Sequence, residues 1–540
     1  MPPYYLTTPI YYVNDRPHIG HCYTTLVADV AARFQRLLGR EVFFLTGTDE
    51  HADKVVTSGA AAGCTPLEWA DRNAAEFQKA FAFMGFTHDD FIRTTQDRHK
   101  TKVLEYVRAL QASGDVYLGD YVGWYDQSQD EYLTETVAKD SPMGPYTSPV
   151  TGKPLVKRTE KNYFFRLSKY EARLKAHIDA NPEFIQPAAR RNEVLGRLRD
   201  GLQDVPISRA ITDDPASQWG IRMPDDPGHR IYVWIDALFN YLSAVDTPGR
   251  EQLWPPAVHV MAKDILWFHA VIWPSLLMAM GRPLPRSIFA HAYWVREGRK
   301  MSKSLGNFID IDLIRAYAAR YGLDSVRYYL LTQGPASSTD SDFSHALFVE
   351  TFNADLANGL GNATSRVGNM IAKYFDGRCP DPKGHTGLAG YDWPSIVHSH
   401  VQAAIAKADA FDLPGALGEG LALVRHVDQY INATEPFKLA KKLEAEPARR
   451  DELAAILYHC AEALRVATIL FSPAVPQAAA AIFKNWSVRP INIADGHAIA
   501  HATAWGGHHS LQPGQTMVKG EILFQRADPA EPPPTALPPT

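Results

Sequence analysis

Residues 4–51 read YYLTTPIYYVNDRPHIGHCYTTLVADVAARFQRLLGREVFFLTGTDEH, and the punctuation of that stretch decides the fold class. Tyr4 to Val13 is rich in β-formers. A turn with Asn14, Asp15 and Pro17 follows, and then Leu26, Val30, Phe34, Leu37 and Leu38 recur at helical spacing. Gly39 stands where a left-handed helix cap is wanted. Val42 to Leu45 is a short apolar strand, and Thr46 to His51 turns polar immediately after it. Strand, helix, strand in this order predicts an α/β domain on a parallel, Rossmann-like sheet, which binds ligands at the carboxyl ends of its strands.

Outward from this unit the composition shifts twice. From about Val116 to Arg230 Tyr, Thr, Gly and Pro dominate and the alternation is lost, as in an insertion of mixed structure. Sheet character returns at Ile231 to Ile235 and at Val258 to Met261, and a loop of Arg296, Gly298, Arg299 and Lys300 follows Tyr293 to Val295. From about Glu350 the chain reads as an all-α bundle. Phe352, Leu356, Leu360, Val367 and Met370 mark one helix face, and further helices run near 398–430 and 450–485. Gly520 to Gln525 reads as a last strand folding back, and the proline-rich Pro529 to Thr540 as disordered. The expected divisions are 1–115 and 231–295 for the two halves of the sheet domain, 116–230 for the insertion, 296–350 for a lysine loop and its sequel, 351–500 for the helices and 501–540 for the tail.

The totals bound the function classes. The 540 residues suffice for three or four domains, and 46% hydrophobic with 21% charged residues is an ordinary globular mixture. No run of about 18 apolar residues suggests a membrane span, and Met1 to Tyr12 lacks the pattern of a signal peptide. Cys22, Cys64, Cys379 and Cys460 are far apart and form no CxxC pair, which suits free thiols in a reducing cytoplasm. Cys460 lies at helical spacing from Leu457 and Leu464, as a core residue would. The net charge of −5 gives no global attraction to nucleic acid but leaves room for a local basic patch.

Two short motifs carry chemistry. His18-Ile19-Gly20-His21 falls at the junction of the first strand and its helix. A helix start offers unpaired N–H groups and partial positive charge to a phosphate, Gly20 lets a flat ring approach, and both histidines can donate to phosphate oxygens. Alone, four such residues fit two surface histidines equally well. Lys300-Met301-Ser302-Lys303-Ser304, flanked by Gly298 and Gly306, forms a cationic loop that can close over a triphosphate and stabilise leaving pyrophosphate. Alone, it fits a solvated basic loop better. Together, in this order, each after a strand and with helices behind them, the two resemble the class I aminoacyl-tRNA synthetases. No HExxH, GxGxxG or GxxxxGK[ST] supports a metal hydrolase, a dehydrogenase or a P-loop kinase.

Four blocks resemble the methionyl-tRNA synthetases in particular. They are Thr7-Thr8-Pro9-Ile10-Tyr11-Tyr12-Val13-Asn14; Thr46-Gly47-Thr48-Asp49-Glu50-His51; Tyr232-Val233-Trp234-Ile235-Asp236-Ala237-Leu238 with Asn240-Tyr241; and Lys263-Asp264-Ile265 with His269 and Trp273-Pro274. The resemblance runs from about Tyr4 to Leu470. It implies a thioether pocket of Ile10, Tyr12, Trp234, Ala237, Leu238, Tyr241, Ile265 and His269, since aromatic rings contact sulfur favourably. Tyr241 and His269 would lie near the sulfur. Trp234, taken alone, fits plain core packing better. Asp49 would pair with the substrate ammonium, Arg209 would face its carboxylate, and Gly20 and Asp264 would lie against ATP, Asp264 at the ribose. The resemblance further implies ATP and Mg²⁺ as cofactors, and His18, His21, Lys300 and Lys303 as the phosphate and pyrophosphate groups. Residues 296–350 would touch the tRNA stem.

The departures from that family pattern are informative. Many methionyl enzymes carry a zinc knuckle in the insertion. Here Tyr125-Asp126-Gln127-Ser128-Gln129 stands in its place, and Val116 to Phe165 holds neither Cys nor His. Structural zinc needs thiolate or imidazole ligands, so no zinc and no other bound metal is expected. The insertion of about 115 residues is too short for the editing domain of branched-chain relatives, whose task is rejecting slightly smaller apolar side chains. In the helical domain Asn362 and Arg366 share a face and match anticodon-contacting positions, though an exposed polar face reads the same way. Where the family commonly places a stacking tryptophan after Glu435-Pro436, this chain has Phe437. The expected partners are tRNA(Met), L-methionine and ATP, with no membrane and a monomeric, cytoplasmic protein. The alternatives are another class I synthetase and a catalytically silent RNA-binding paralogue.

Overall fold

The β-former run Tyr4–Tyr12 (β1), buried continuously from Tyr5 to Thr8, and the Ile19–Leu37 helix (α1) build the expected first unit. The computed structural model describes residues 3–14, 16–127, 131–133, 135–296, 298–301, 307–489, 491 and 499–536. The second strand, Val42–Asp49 (β2), runs four residues past the apolar run, so the polar segment 46–49 is strand and Asp49 is its last residue. The strand, paired in parallel with β1 and Asp90–Arg93 (β3), tolerates buried threonines there because Thr46 accepts from Thr8 and Thr48 donates to Glu50, each at 2.7 Å. Gly47 is required by that packing, since a Cβ there would lie 1.9 Å from the Ile92 carbonyl oxygen.

Three further strands, Ile185–Gln186 (β4), Val258–Ala262 (β5) and Ile288–His291 (β6), complete a six-stranded parallel sheet in the order β3-β2-β1-β5-β6-β4. The chain passes from β1 to β2 on one side and later returns to β5 on the other. The crevice at the carboxyl ends of β1 and β5 is therefore the topological switch point, where such sheets bind ligands.

The insertion differs from its sequence reading in two places. β4 lies inside the 116–230 stretch yet joins the main sheet, because two residues of strand carry no periodicity to read. The expected strand at Ile231 to Ile235 ends at Ile231, and Val233–Leu238 is helix. That run is apolar because it is buried almost all round, and burial on every side erases the distinction between helical and strand period. The remainder forms a four-stranded sheet (Glu131–Leu133, Val116–Asp126, Val156–Phe165, Val205–Pro206) and a three-stranded one (Arg222–Met223, Asp226–Ile231, Ser208–Ala210). At its tip Trp124 and Tyr146 pack at 4.4 Å and both donate to Glu135, beside a small core of Leu133, Ala138 and Leu155.

Helices Asn362–Tyr374, Trp393–Asp409, Leu413–Thr434, Arg450–Phe471 and Pro476–Asn485 form the bundle. Pro447–Phe471 is apolar and long enough to cross a membrane by length and composition, but it is the bundle's central element. Its window is fully buried, and Glu462 and Arg465 pair within it at 2.7 Å. Residues 520–525 do not form the expected strand. Gly520 takes φ +71°, Ile522 points to solvent and Phe524 plugs against Phe352, so the apolar alternation serves single contacts instead of a ladder. Nor is all of the proline-rich tail loose: the Glu531 and Pro532 carbonyls accept from His345 and Arg320.

Candidate active site

The start of α1 is built by its two histidines. His18 is the N-cap, and its Nδ1 accepts the Gly20 N–H at 3.0 Å, while the His18 N–H reaches His21 Nδ1 at 3.4 Å. With both Nδ1 atoms accepting, a single ring proton on either histidine falls on Nε2. The rings stack at 3.8 Å. Burial, then the neighbouring His18, pushes the His21 pKa well below its ordinary value. A Cβ on residue 20 would meet the His18 ring at 2.9 Å, so glycine leaves the cap intact.

The second motif is anchored to the first. Lys300 is not in a loop but ends a hairpin of Trp294–Arg296 and Arg299–Lys300, and Lys303 lies outside the described residues. Downstream, Ile309 O accepts the Ile19 N–H at 3.0 Å, Phe308 meets the His18 ring edge-on at 5.1 Å, and Asp310 bridges His18. Arg16 grips Asp312 through two N–H groups.

At the switch point the expected pocket residues converge in part. Asp49 is buried at the end of β2. Tyr12 and Trp234 meet edge-on at 5.9 Å, and Trp234 stacks on Phe268 at 3.9 Å. Trp234 is half-buried and packs against the core on its Phe268 side. Tyr241 bonds His269 Nε2 at 2.8 Å, and His269 Nδ1 lies 2.9 Å from the Ile265 carbonyl. A carbonyl can only accept, so Nδ1 carries the proton and Nε2 accepts from the tyrosine. Behind them Trp273 donates to His259 Nε2 at 3.3 Å, and His259 Nδ1 donates to Thr7 at 2.7 Å. Ala237 and Leu238 are buried on the same short helix as Trp234.

Burial holds the His269 pKa down to about 4 and raises that of Tyr241. The pair is therefore neutral throughout the ordinary assay range. We expect the KM for the apolar substrate to stay flat between about pH 6 and 8. A rise with a midpoint near the ordinary histidine value would mean that His269 is solvated.

Other expected residues line two clefts. Asp264 and Tyr293 line a cleft of about 390 Å³ with Arg190, Arg197, Lys263 and Trp267. Arg209 lies in a second cleft of about 350 Å³ beside Asp53 and Arg230. It bonds Glu160 at 3.3 Å and its guanidinium covers the Tyr125 ring at 4.3 Å. In the bundle Asn362 is exposed, Arg366 half-buried and Phe437 38% exposed, which leaves the phenyl face open to a partner.

Sequence reading missed the polar groups that brace this site: His51, His99, Asp236 and Glu50 with Arg93. His51, Glu50 and Asp236 lie inside quoted blocks, so their motifs were the available signal. His99, from a distant helix, carries no local one.

A switch-point crevice over a histidine-capped helix start, with the chain downstream of a lysine-ended hairpin hydrogen-bonded to it and a helical bundle behind, defines a class I nucleotide-activating site. The family described as tRNA synthetases class I (M) matches residues 4–144 and 139–368. The methionine–tRNA ligase of Bacillus subtilis is 39% identical over 98% of this chain and 78% of its own length. That of Streptomyces coelicolor is 40% identical over 97% of each. Among solved structures, Mycobacterium tuberculosis methionyl-tRNA synthetase in complex with methionyl-adenylate is 36% identical and aligns over 97% of this chain and 100% of its own at a TM-score of 0.86. Its apo form aligns at 0.80, with 34% identity, over 98% and 99%. The chain belongs to the class I tRNA synthetases of the methionine type.

Proposed function

We propose that the chain activates L-methionine with ATP to methionyl-adenylate and transfers the methionyl group to tRNA(Met). The observation that carries this reading is the meeting, at one switch point, of the histidine-capped helix start, the buried Asp49 and the neutral Tyr241–His269 pair. The methionine carboxylate attacks the α-phosphate and pyrophosphate leaves. His18 and His21 donate from Nε2 as charge builds on the phosphates, and Lys300 and Lys303 hold the departing pyrophosphate. Asp49 pairs with the ammonium, Arg209 serves the carboxylate and Asp264 the ribose. Ile10, Tyr12, Trp234, Ala237, Leu238, Tyr241, Ile265 and His269 surround the thioether, where uncharged aromatic and imidazole edges suit sulfur better than a formal charge would. A terminal tRNA ribose hydroxyl then attacks the adenylate carbonyl. Mg²⁺, entering with ATP, would neutralise phosphate charge.

The test is methionine-dependent exchange of pyrophosphate into ATP, with isoleucine, leucine, valine and cysteine as controls. Exchange with methionine alone is expected. Exchange with another amino acid would favour a different class I synthetase, and none with any would favour the silent RNA-binding paralogue. Asn362, Arg366 and Phe437 are proposed to read the anticodon. Base stacking on an aromatic ring contributes about 1–3 kcal/mol. Phe437→Ala should accordingly weaken aminoacylation about tenfold or more and leave exchange nearly normal. Equal loss in both assays would make Phe437 a packing residue. The protein is further read as a cytoplasmic monomer without zinc. Asp126 and Gln129 stand where a thiol pair would be needed, Asp126 buried and Gln129 outside the described residues, and elemental analysis should find no stoichiometric zinc.

A further inference from the structure

One buried carboxylate connects the two ends of the candidate methionine pocket. Asp236 is 1% exposed. It accepts from His51 Nδ1 at 2.6 Å on one oxygen and from His99 Nε2 at 2.8 Å on the other. His99 Nδ1 continues to Ser243 Oγ at 2.8 Å. His51 and His99 are likewise buried. None of the four has a part in the chemistry proposed above.

Their positions in the chain give the network its meaning. His51 follows Asp49 by two residues, at the carboxyl end of β2. That end is rigid: the Glu50 carboxylate is held by Arg93 at 2.7 and 3.1 Å, and the Glu50 carbonyl accepts from Trp219 at 2.7 Å. Asp236 and Ser243 belong to the helical turns Val233–Leu238 and Asn240–Ser243, which also bear Trp234, Ala237, Leu238 and Tyr241. Turns of six and four residues cannot hold themselves in place by their own hydrogen bonds. Tertiary ties must do so, and a carboxylate bonded at both oxygens is the strongest kind on offer here. Burial opposes ionisation of Asp236, but His51 and His99 outweigh it and hold the group at about 2, so the carboxylate stays charged and both bonds persist.

We propose that Asp236 is a specificity-determining strut: by fixing the pocket-bearing turns relative to the end of β2, it sets the side-chain length the site accepts. The ammonium end of the substrate is measured from Asp49 and the thioether end from Trp234 and Tyr241, and the His51–Asp236–His99 chain spans the interval. Asp236 is a positioning residue and touches no substrate. The proposal rests on the methionine-activation reading. In a rigid apolar pocket one methylene is worth about 10–200-fold in kcat/KM, and that discrimination is lost when the walls can yield.

The test is pyrophosphate exchange by the full chain with methionine and with its S-ethyl homologue, one methylene longer. Asp236→Asn and His99→Leu should raise the methionine KM about tenfold and narrow the preference over the homologue by a similar factor. The ATP KM and the saturated rate should stay within about twofold. His99→Gln, whose amide nitrogen can stand where Nε2–H stands, should keep the preference near that of the parent chain. Parallel loss of rate and of both KM values, or an unchanged preference in a variant with parental Tm, overturns the strut. Should Asp236→Asn not fold, the His99 pair decides by the same readout. No exchange with either amino acid by the parent chain would instead refute the methionine reading itself.

Discussion

Replacing Lys300 and Lys303 together by alanine is expected to lower methionine-dependent exchange by about 10³-fold or more while methionine binding stays measurable. In the proposed mechanism each lysine supplies a cation to charge that develops only as pyrophosphate departs. Loss of one such donor from an enclosed site costs about 10²–10³ in rate. The two losses need not multiply, because groups acting on one leaving group behave as a unit. The tertiary arrangement explains why the effect should fall on the chemical step. Lys300 terminates a hairpin whose downstream chain is hydrogen-bonded to the start of α1 through Ile19 and Ile309. The capping histidines and the chain downstream of the hairpin are thereby tied together. The proposed thioether pocket stands on other elements, the Val233–Leu238 turn and the chain after β5. Tryptophan fluorescence during methionine titration would report binding separately, since Trp234 borders the pocket. Exchange persisting at more than a tenth of the parental rate would remove the lysines from the mechanism.

Arg327→Ala should produce the largest loss of stability, about 3–5 kcal/mol, because it removes one of the two guanidiniums on a buried carboxylate and takes the donor away from three carbonyls. Arg327 is 0% exposed and donates to Asp29 at 2.7 Å and to the carbonyls of Met84, Pro473 and Ala474. It thus ties α1, the end of the Pro66–Met84 helix and the bundle at one point. Burial opposes ionisation of Asp29, but Arg327 and Arg33 outweigh it and depress its pKa. A depressed carboxyl contributes stability that is present above its unfolded value and lost as pH falls through its folded one. The acid sensitivity of the parent chain should therefore include this group at pH below about 4, and in Arg327→Ala that contribution should shrink. Urea unfolding at neutral pH and at about pH 4 measures both; an unchanged midpoint at neutral pH would show that the bundle and sheet are held together elsewhere.

Much of the site was legible before any coordinates. A phosphate-facing helix start needs small and imidazole residues at fixed short spacing, and a pyrophosphate clamp needs paired cations. Both requirements are local, so His18-Ile19-Gly20-His21 and Lys300-Met301-Ser302-Lys303-Ser304 could be read from the string. The α/β class was legible for a similar reason, since α1 shows helical spacing along its length and β1 and β2 are runs of β-formers on either side of it. Gly39, with φ +76°, caps α1 as its position suggested.

What could not be read was whatever depends on the chain returning to itself. The Ile231 to Ile235 run is helical after Tyr232 because surrounding layers bury it on all sides, and burial on all sides leaves no pattern. β4 joins the main sheet from inside the insertion through two backbone pairings, to which side-chain identity contributes almost nothing. Asp236, His51 and His99 are 137 and 185 residues apart across their bonds, and only packing brings them together. The sequence by itself determined which chemical groups are present and the local geometry at each helix start, because those depend on neighbours within a few residues. The tertiary structure alone decided how far apart the groups stand and which of them are neutral, because distance and burial are properties of the folded whole.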